Sequence, residues 1–322
     1  MQQDLTARLQ AGALVAVSQC LSVQQGETVL IVTDQHCLDV AWALWRAAGE
    51  ARGEPMMMVM RPREAHGEEP PLPVAKAMKE SAVCFLPTSR SLTHTVARKK
   101  ASEAGTRLAS MPGITSDIAA RSLDADYGQI SCVTEKVASL LDAGASVHLK
   151  TPAGTHLTMD ISGRRAVRDT GLYTSPGAFG NLPAGEAYIA PVEGSATGHM
   201  VVDSTMAGIG FLDHPLVIEV VEGKAVSVTG RGYAERLEAM LDAAGPAARN
   251  LAELGIGTNP AATIVGNVLE DEKVLGTVHV ALGSNASFGG RVRVACHLDG
   301  VMLRPSLWVD GVLVMESGML LA

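Results

Sequence analysis

Three short apolar runs, Thr28-Val-Leu-Ile-Val-Thr33, Pro55-Met-Met-Met-Val-Met60 and Ala82-Val-Cys-Phe-Leu86, alternate with stretches of helical spacing, and this rhythm constrains the fold more than any other feature. The runs are continuous rather than alternating, the pattern of strands buried on both faces. Strands separated by helical crossovers are satisfied by parallel pairing. Leu38 to Ala51 supplies the first crossover helix, 73–80 and 92–104 the next two, and Arg107-Leu-Ala-Ser110 a fourth strand. Ahead of them Leu5, Leu9, Ala13, Val17 and Leu21 recur at four-residue spacing and predict an amphipathic helix over 1–24, stopped by Gln24-Gln25-Gly26. The expectation for 1–135 is an α/β domain with a mostly parallel sheet.

From about residue 131 the grammar changes. A helix at 131–143 leads into Ser146–Lys150 and His156–Asp160 around a Thr-Pro-Ala-Gly turn, and Leu216–Val221 and Lys224–Val228 flank Glu222-Gly223, a hairpin signal. One long helix, 231–243, interrupts the strands. The prediction for 136–322 is an α+β domain with antiparallel, barrel-like strands that carry a metal site. A length of 322 residues suits two domains.

Composition narrows the function. There are 26 basic and 34 acidic residues, a formal charge of −8, and no basic stripe with interleaved aromatics, which argues against a nucleic-acid partner. The five cysteines form no CxxC pair and sit mostly in apolar company, so they read as reduced thiols of a cytoplasmic protein. The start, Met-Gln-Gln-Asp-Leu-Thr, lacks the regions of a signal peptide, and no apolar run reaches the ~18 residues of a membrane span. The loop Thr33-Asp34-Gln35-His36-Cys37 has no glycine, against a dinucleotide site at the first strand. Arg61 to Pro71 reads as an exposed loop. Ser195 and Ser204 near His199 lack a nucleophile elbow, and HExxH is absent.

The densest chemistry lies late in the chain. His279 stands in a strand-like Gly276–Leu282, and His297 and Asp299 are two apart in Arg291–Asp299, which alternates as a strand would and places both on one face with Arg291 and Arg293. Two readings stay open for the pair: a surface pair on an edge strand, or ligands that His279 faces across a short link. Glu186 and Glu253 sit in glycine-rich apolar surroundings, where an unpaired charge is costly. Glu193 and Glu272 are further candidates, whereas Glu270 and Asp271 read as surface charge. Imidazoles among carboxylates make a transition-metal pocket, and two divalent ions there would generate hydroxide for hydrolysis.

In order, Leu182-Pro-Ala-Gly-Glu186-Ala-Tyr-Ile-Ala-Pro191, the Glu253 segment, Glu272 ahead of His279-Val-Ala-Leu-Gly, and His297-x-Asp299 resemble the metallo-aminopeptidase family of aminopeptidase T and aminopeptidase S. The likeness runs over about 145–315, with a fainter match in the first half. It implies a pair of divalent ions (zinc, cobalt or manganese) held by Glu186, Glu253, His279, His297 and Asp299. It also implies a two-domain subunit and a homodimer enclosing its active sites. The leading expectation is therefore a metal-dependent hydrolase that removes N-terminal residues from peptides, with Glu253 or Glu272 moving the proton. Where family peptidases carry a tyrosine, seven residues after His279, this chain has Ala286. The same scaffold is shared by the 2,5-dihydroxypyridine dioxygenases, which hold one ferrous ion; in that alternative His279, His297 and Asp299 form the triad. A peptide-binding protein without catalysis is the third reading.

Overall fold

The computed structural model describes residues 2–321; Met1, the first position of the expected 1–24 helix, and Ala322 lie outside it. The chain divides into two compact units, one of Met1–Gln129 with Thr170–Ala184, the other of Ile130–Asp169 with Gly185–Ala322. A single cut at 135 does not describe this arrangement, because the excursion 170–184 returns to the first unit.

In the first unit Thr28–Asp34 (β1), Glu54–Met60 (β2), Val83–Thr88 (β3) and Arg107–Pro112 (β4) form a parallel sheet. A short strand from the excursion, Phe179–Asn181 (eighth in the chain, β8), completes the order β2-β1-β3-β4-β8. Residues 29–34 of β1 and all of β3 are buried, as continuous apolar runs require. The helix Leu38–Glu50 lays Val40, Ala41, Leu44, Ala47 and Ala48 into the core. The helix expected at 92–104 begins only at Val96, because the Thr95 side chain accepts the Arg98 N–H (3.2 Å) and caps it there. The first helix stops at Val15 and passes through a wider turn, Ala16–Cys20, that buries Val17 and Cys20.

The second unit carries two antiparallel sheets. Ser146–Lys150 (β5), His156–Asp160 (β6), Thr197–Val202 (β10), Leu216–Val221 (β13), Lys224–Thr229 (β14), Ser306–Val309 (β18), Val312–Glu316 (β19) and Met319–Leu320 (β20) run in the order β14-β13-β10-β6-β5-β18-β19-β20. Val167–Asp169 (β7), Glu186–Ile189 (β9), Thr205–Met206 (β11), Gly210–Phe211 (β12), Leu251–Gly257 (β15), Val278–Gly283 (β16) and His297–Met302 (β17) run in the order β12-β11-β17-β16-β15-β9-β7. Both sheets have open edges, so the barrel-like expectation gives way to two sheets. They share one core, built from Leu149 and Leu157 of one, Leu254 and Val280 of the other, and Leu141 and Leu237 from helices Tyr127–Ala143 and Arg231–Ala244.

Two differences from the sequence reading bear on the site. Strand β13 alternates buried and part-exposed residues, but β15 and β16 are buried along their whole length, so any charge they carry points into the protein. The expected strand Arg291–Asp299 begins only at His297. Asn285 closes the preceding loop on itself, its backbone N–H donating to Val292 O (3.0 Å) and its side-chain oxygen accepting the Val292 N–H (2.9 Å). Arg291 and Arg293 therefore lie outside the strand and share no strand face with His297 and Asp299. Among the described residues no helix is long and apolar enough to cross a membrane.

Candidate metal centre

Four neighbouring strands of the second sheet, β9, β15, β16 and β17, supply five of the ionisable side chains, Glu272 following the short helix Val268–Asp271 instead, and the register sets each of the five beside a small partner on one side. His279 lies opposite Gly255, Glu253 and Asp299 opposite Ala281, His297 opposite Gly283, and Glu186 opposite Gly257. Space for bulky polar groups inside a buried sheet comes from these gaps: a Cβ on Gly255 would stand 1.9 Å from His279 Nε2. A register shift between Leu251 and Glu253 re-aims the strand at the glutamate.

Glu186, Glu253, Glu272, His279, His297 and Asp299 converge. Donor atoms fall into two groups, Glu253 with His297 and Asp299, and Glu186 with Glu272 and His279, each within 4.8 Å. Glu253 joins them: Oε1 lies 3.2 Å from His279 Nε2 and Oε2 lies 3.3 Å from His297 Nε2. Asp299 Oδ1 is also 3.3 Å from His297 Nε2. His297 Nδ1 is 2.9 Å from the Ser284 carbonyl, so Nδ1 carries the hydrogen and Nε2 faces two carboxylates. A lone pair pointed at two anions needs a cation between them, either a proton or a metal ion. The donor set fits a metal.

The third member of the neighbourhood is Lys273. Its wholly buried ammonium donates to Glu186 Oε1 (2.6 Å) and Glu272 Oε1 (2.5 Å) and lies 3.9 Å from Asp169 Oδ2. Glu186 Oε2 is 3.2 Å from His279 Nε2 without hydrogen-bond geometry; this oxygen and His279 Nδ1 are buried without a hydrogen-bond partner. Titration follows this crowding. Burial pushes Glu272 up to about 8, with Lys273 opposing and Glu186 and Asp299 adding to the rise. Burial acts upward on Asp299 too, yet His297 wins and holds it at about 2. For His279 burial acts downward, but Glu186 and Glu253 raise it well above the usual imidazole range.

On the open side, His297 is the most accessible member, with 29% of its side chain exposed, and Phe288 stands edge-on to it at 5.8 Å between ring centres. Phe288 also meets Tyr188 edge-on at 5.3 Å. Glu193 lies elsewhere: it pairs with Arg164 and takes hydrogen bonds from Asn285 Nδ2 (3.0 Å) and the Arg291 N–H (2.7 Å). Glu270 and Asp271 are fully buried rather than surface charges; Asp271 accepts from Thr205 Oγ1, Val265 N and Gly266 N. Sequence reasoning missed Lys273, Asp169, Tyr188 and Phe288. Only Lys273 had a signal, a cation directly after a carboxylate run and ahead of an apolar strand.

The fold resembles that of 2,5-dihydroxypyridine dioxygenase from Pseudomonas putida KT2440, with a TM-score of 0.81 at 18% identity over 99% of this chain and 97% of that one. It also resembles wild-type AmpT, aminopeptidase T, from Thermus thermophilus, with a TM-score of 0.70 at 19% identity over 98% and 99% of the two chains. Among curated proteins, 2,5-dihydroxypyridine 5,6-dioxygenase of Pseudomonas putida KT2440 is 24% identical over 193 residues, 56% of this chain; the match spans about half, 55%, of that relative's length. The aminopeptidase likeness is thus one of fold, and the expectation of a peptide hydrolase is overturned by a family match over residues 13–322. By that match this chain belongs to the NicX family, a family of enzymes whose description is 2,5-dihydroxypyridine 5,6-dioxygenase.

Proposed function

We propose that this chain is a ring-cleaving dioxygenase with one ferrous ion and a small dihydroxylated heterocycle of the 2,5-dihydroxypyridine class as substrate. The observation that carries it is the convergence of Glu253, His297 and Asp299, two buried carboxylates and a part-exposed imidazole bordered by the Phe288 ring. One imidazole and two carboxylates would hold the ion, a variant of the two-histidine triad with Glu253 in place of His279. A ferrous ion there would supply the one-electron chemistry that lets triplet oxygen react with a closed-shell ring. The chain's own groups do the rest. Ser284 O holds the His297 ring in its tautomer, and the edge of Phe288 offers a flat substrate an apolar wall.

Protein reconstituted anaerobically with ferrous iron is expected to consume one oxygen molecule per 2,5-dihydroxypyridine, with loss of ring absorbance and both atoms of labelled oxygen in the opened product. Folded protein with iron bound that takes up no oxygen with this substrate would refute the reading.

A further inference from the structure

We infer that Lys273 is a built-in cation, its ammonium standing where a second divalent ion would otherwise bind and limiting the centre to one ion. The inference rests on the one-ion reading above and concerns the other half of the cluster. Glu186, Glu272 and His279 present donor atoms within 4.8 Å of one another, close enough to converge on an ion. Lys273 Nζ is already among them, 2.6 Å from Glu186 Oε1 and 2.5 Å from Glu272 Oε1, with Asp169 Oδ2 at 3.9 Å. A divalent ion bound by the same oxygens would face the ammonium at close range among buried side chains, where like charges repel strongly.

The ammonium cannot easily withdraw. Backbone bonds pin residue 273 on both sides, its N–H to Glu270 O (2.9 Å) and its carbonyl to the Asn259 N–H (2.8 Å). Gly257 lets that segment close in, since a Cβ there would stand 2.2 Å from Val274 O. Glu186 Oε2, buried without a hydrogen-bond partner beside His279, is a donor that the lysine leaves unused. It is the group that points to an ion rather than to a merely structural ion pair.

The test is metal stoichiometry, read by elemental analysis and anomalous scattering with Mn²⁺ or Zn²⁺ at saturation. Wild type is expected to hold one ion per chain, Lys273→Met two, and the double variant Glu186→Gln/Lys273→Met one again. Thermal stability of Lys273→Met should depend on added divalent ion far more than that of wild type, because its buried carboxylates lose their counter-charge. Any number other than one in wild type ends the one-ion reading, and this inference with it. One ion in wild type and one in folded Lys273→Met overturns the inference alone. A Lys273→Met protein that no divalent ion restores to the folded state overturns it too.

Discussion

His297 is the residue on which the centre turns, because one ring nitrogen is committed to the Ser284 carbonyl and the other to the carboxylates. His297→Ala removes a proposed ligand without opening the core, since the side chain is already part-exposed. Iron content is expected to fall and oxygen consumption to drop at least about 100-fold, with the melting temperature of the metal-free protein little changed. Retained iron at full occupancy would remove His297 from the ligand set. Glu193 belongs to the same scale but to a different task. Burial raises its carboxyl, yet hydrogen bonds from the Arg291 N–H, Arg164 and Asn285 outweigh this and hold it below its usual value. With the folded value below the unfolded one, its stabilisation is complete above the unfolded value of about 4.3 and is lost as pH falls through the lowered folded value. Amide exchange at Arg291 is therefore expected to accelerate beyond the intrinsic trend as pH falls below the ordinary carboxylate range, and Glu193→Gln should abolish that dependence. An unchanged profile in the variant would place the acid sensitivity elsewhere.

Strands β15 and β16 show how an element makes room for chemistry. Both are buried throughout, and a histidine fits between them only because its cross-strand neighbour lacks a side chain. Gly255→Ala forces the His279 ring out of place, at a cost of about 1–3 kcal/mol together with weaker metal binding. Gly49 is the contrasting case, a helical position where an added Cβ meets nothing within 4 Å. Gly49→Ala is expected to stabilise by about 0.5–1 kcal/mol. Urea melts of the two variants should move in opposite directions; a neutral Gly255→Ala would mean that the strand pair yields and the ring is not held there.

At the scale of the whole molecule, the first unit is not a contiguous piece of chain. Its sheet is finished by β8, which pairs with β4 from Leu108 to Ser110, while Arg98 lies 3.9 Å over the Phe179 ring and the Tyr173 N–H donates to Cys20 O (2.8 Å). A fragment of residues 1–135 leaves β4 as an open, apolar edge and is expected to aggregate or unfold without cooperativity. The same fragment extended through a flexible linker by 170–184 should unfold in a single cooperative transition. Dispersed amide resonances from 1–135 alone would overturn this.

Part of the architecture was legible because strand burial writes itself locally: β1 and β3 are continuous apolar runs and are buried as such, whereas the equally apolar β2 lies at the sheet edge with only Met60 buried, a position its sequence does not reveal. The β13–β14 hairpin was legible for a related reason, since Glu222 and Gly223 both adopt positive φ and announce the turn. The excursion 170–184 was not, because a strand of three residues has no period to detect. Of the chemistry, the chain order of Glu186, Glu253, Glu272, His279, His297 and Asp299 was visible, since costly charge in apolar segments stands out in composition. Their grouping was not. Which imidazole meets which carboxylate depends on the register of β15, β16 and β17, and a shift of one residue would turn each side chain to the opposite face. The sequence alone therefore determined that ionisable groups would be buried in the second half of the chain. Only the tertiary structure decided that Lys273 pairs with Glu186 and Glu272 on one side of the cluster while the part-exposed His297 meets Glu253 and Asp299 on the other, because charge balance inside a protein depends on distances that no single segment encodes.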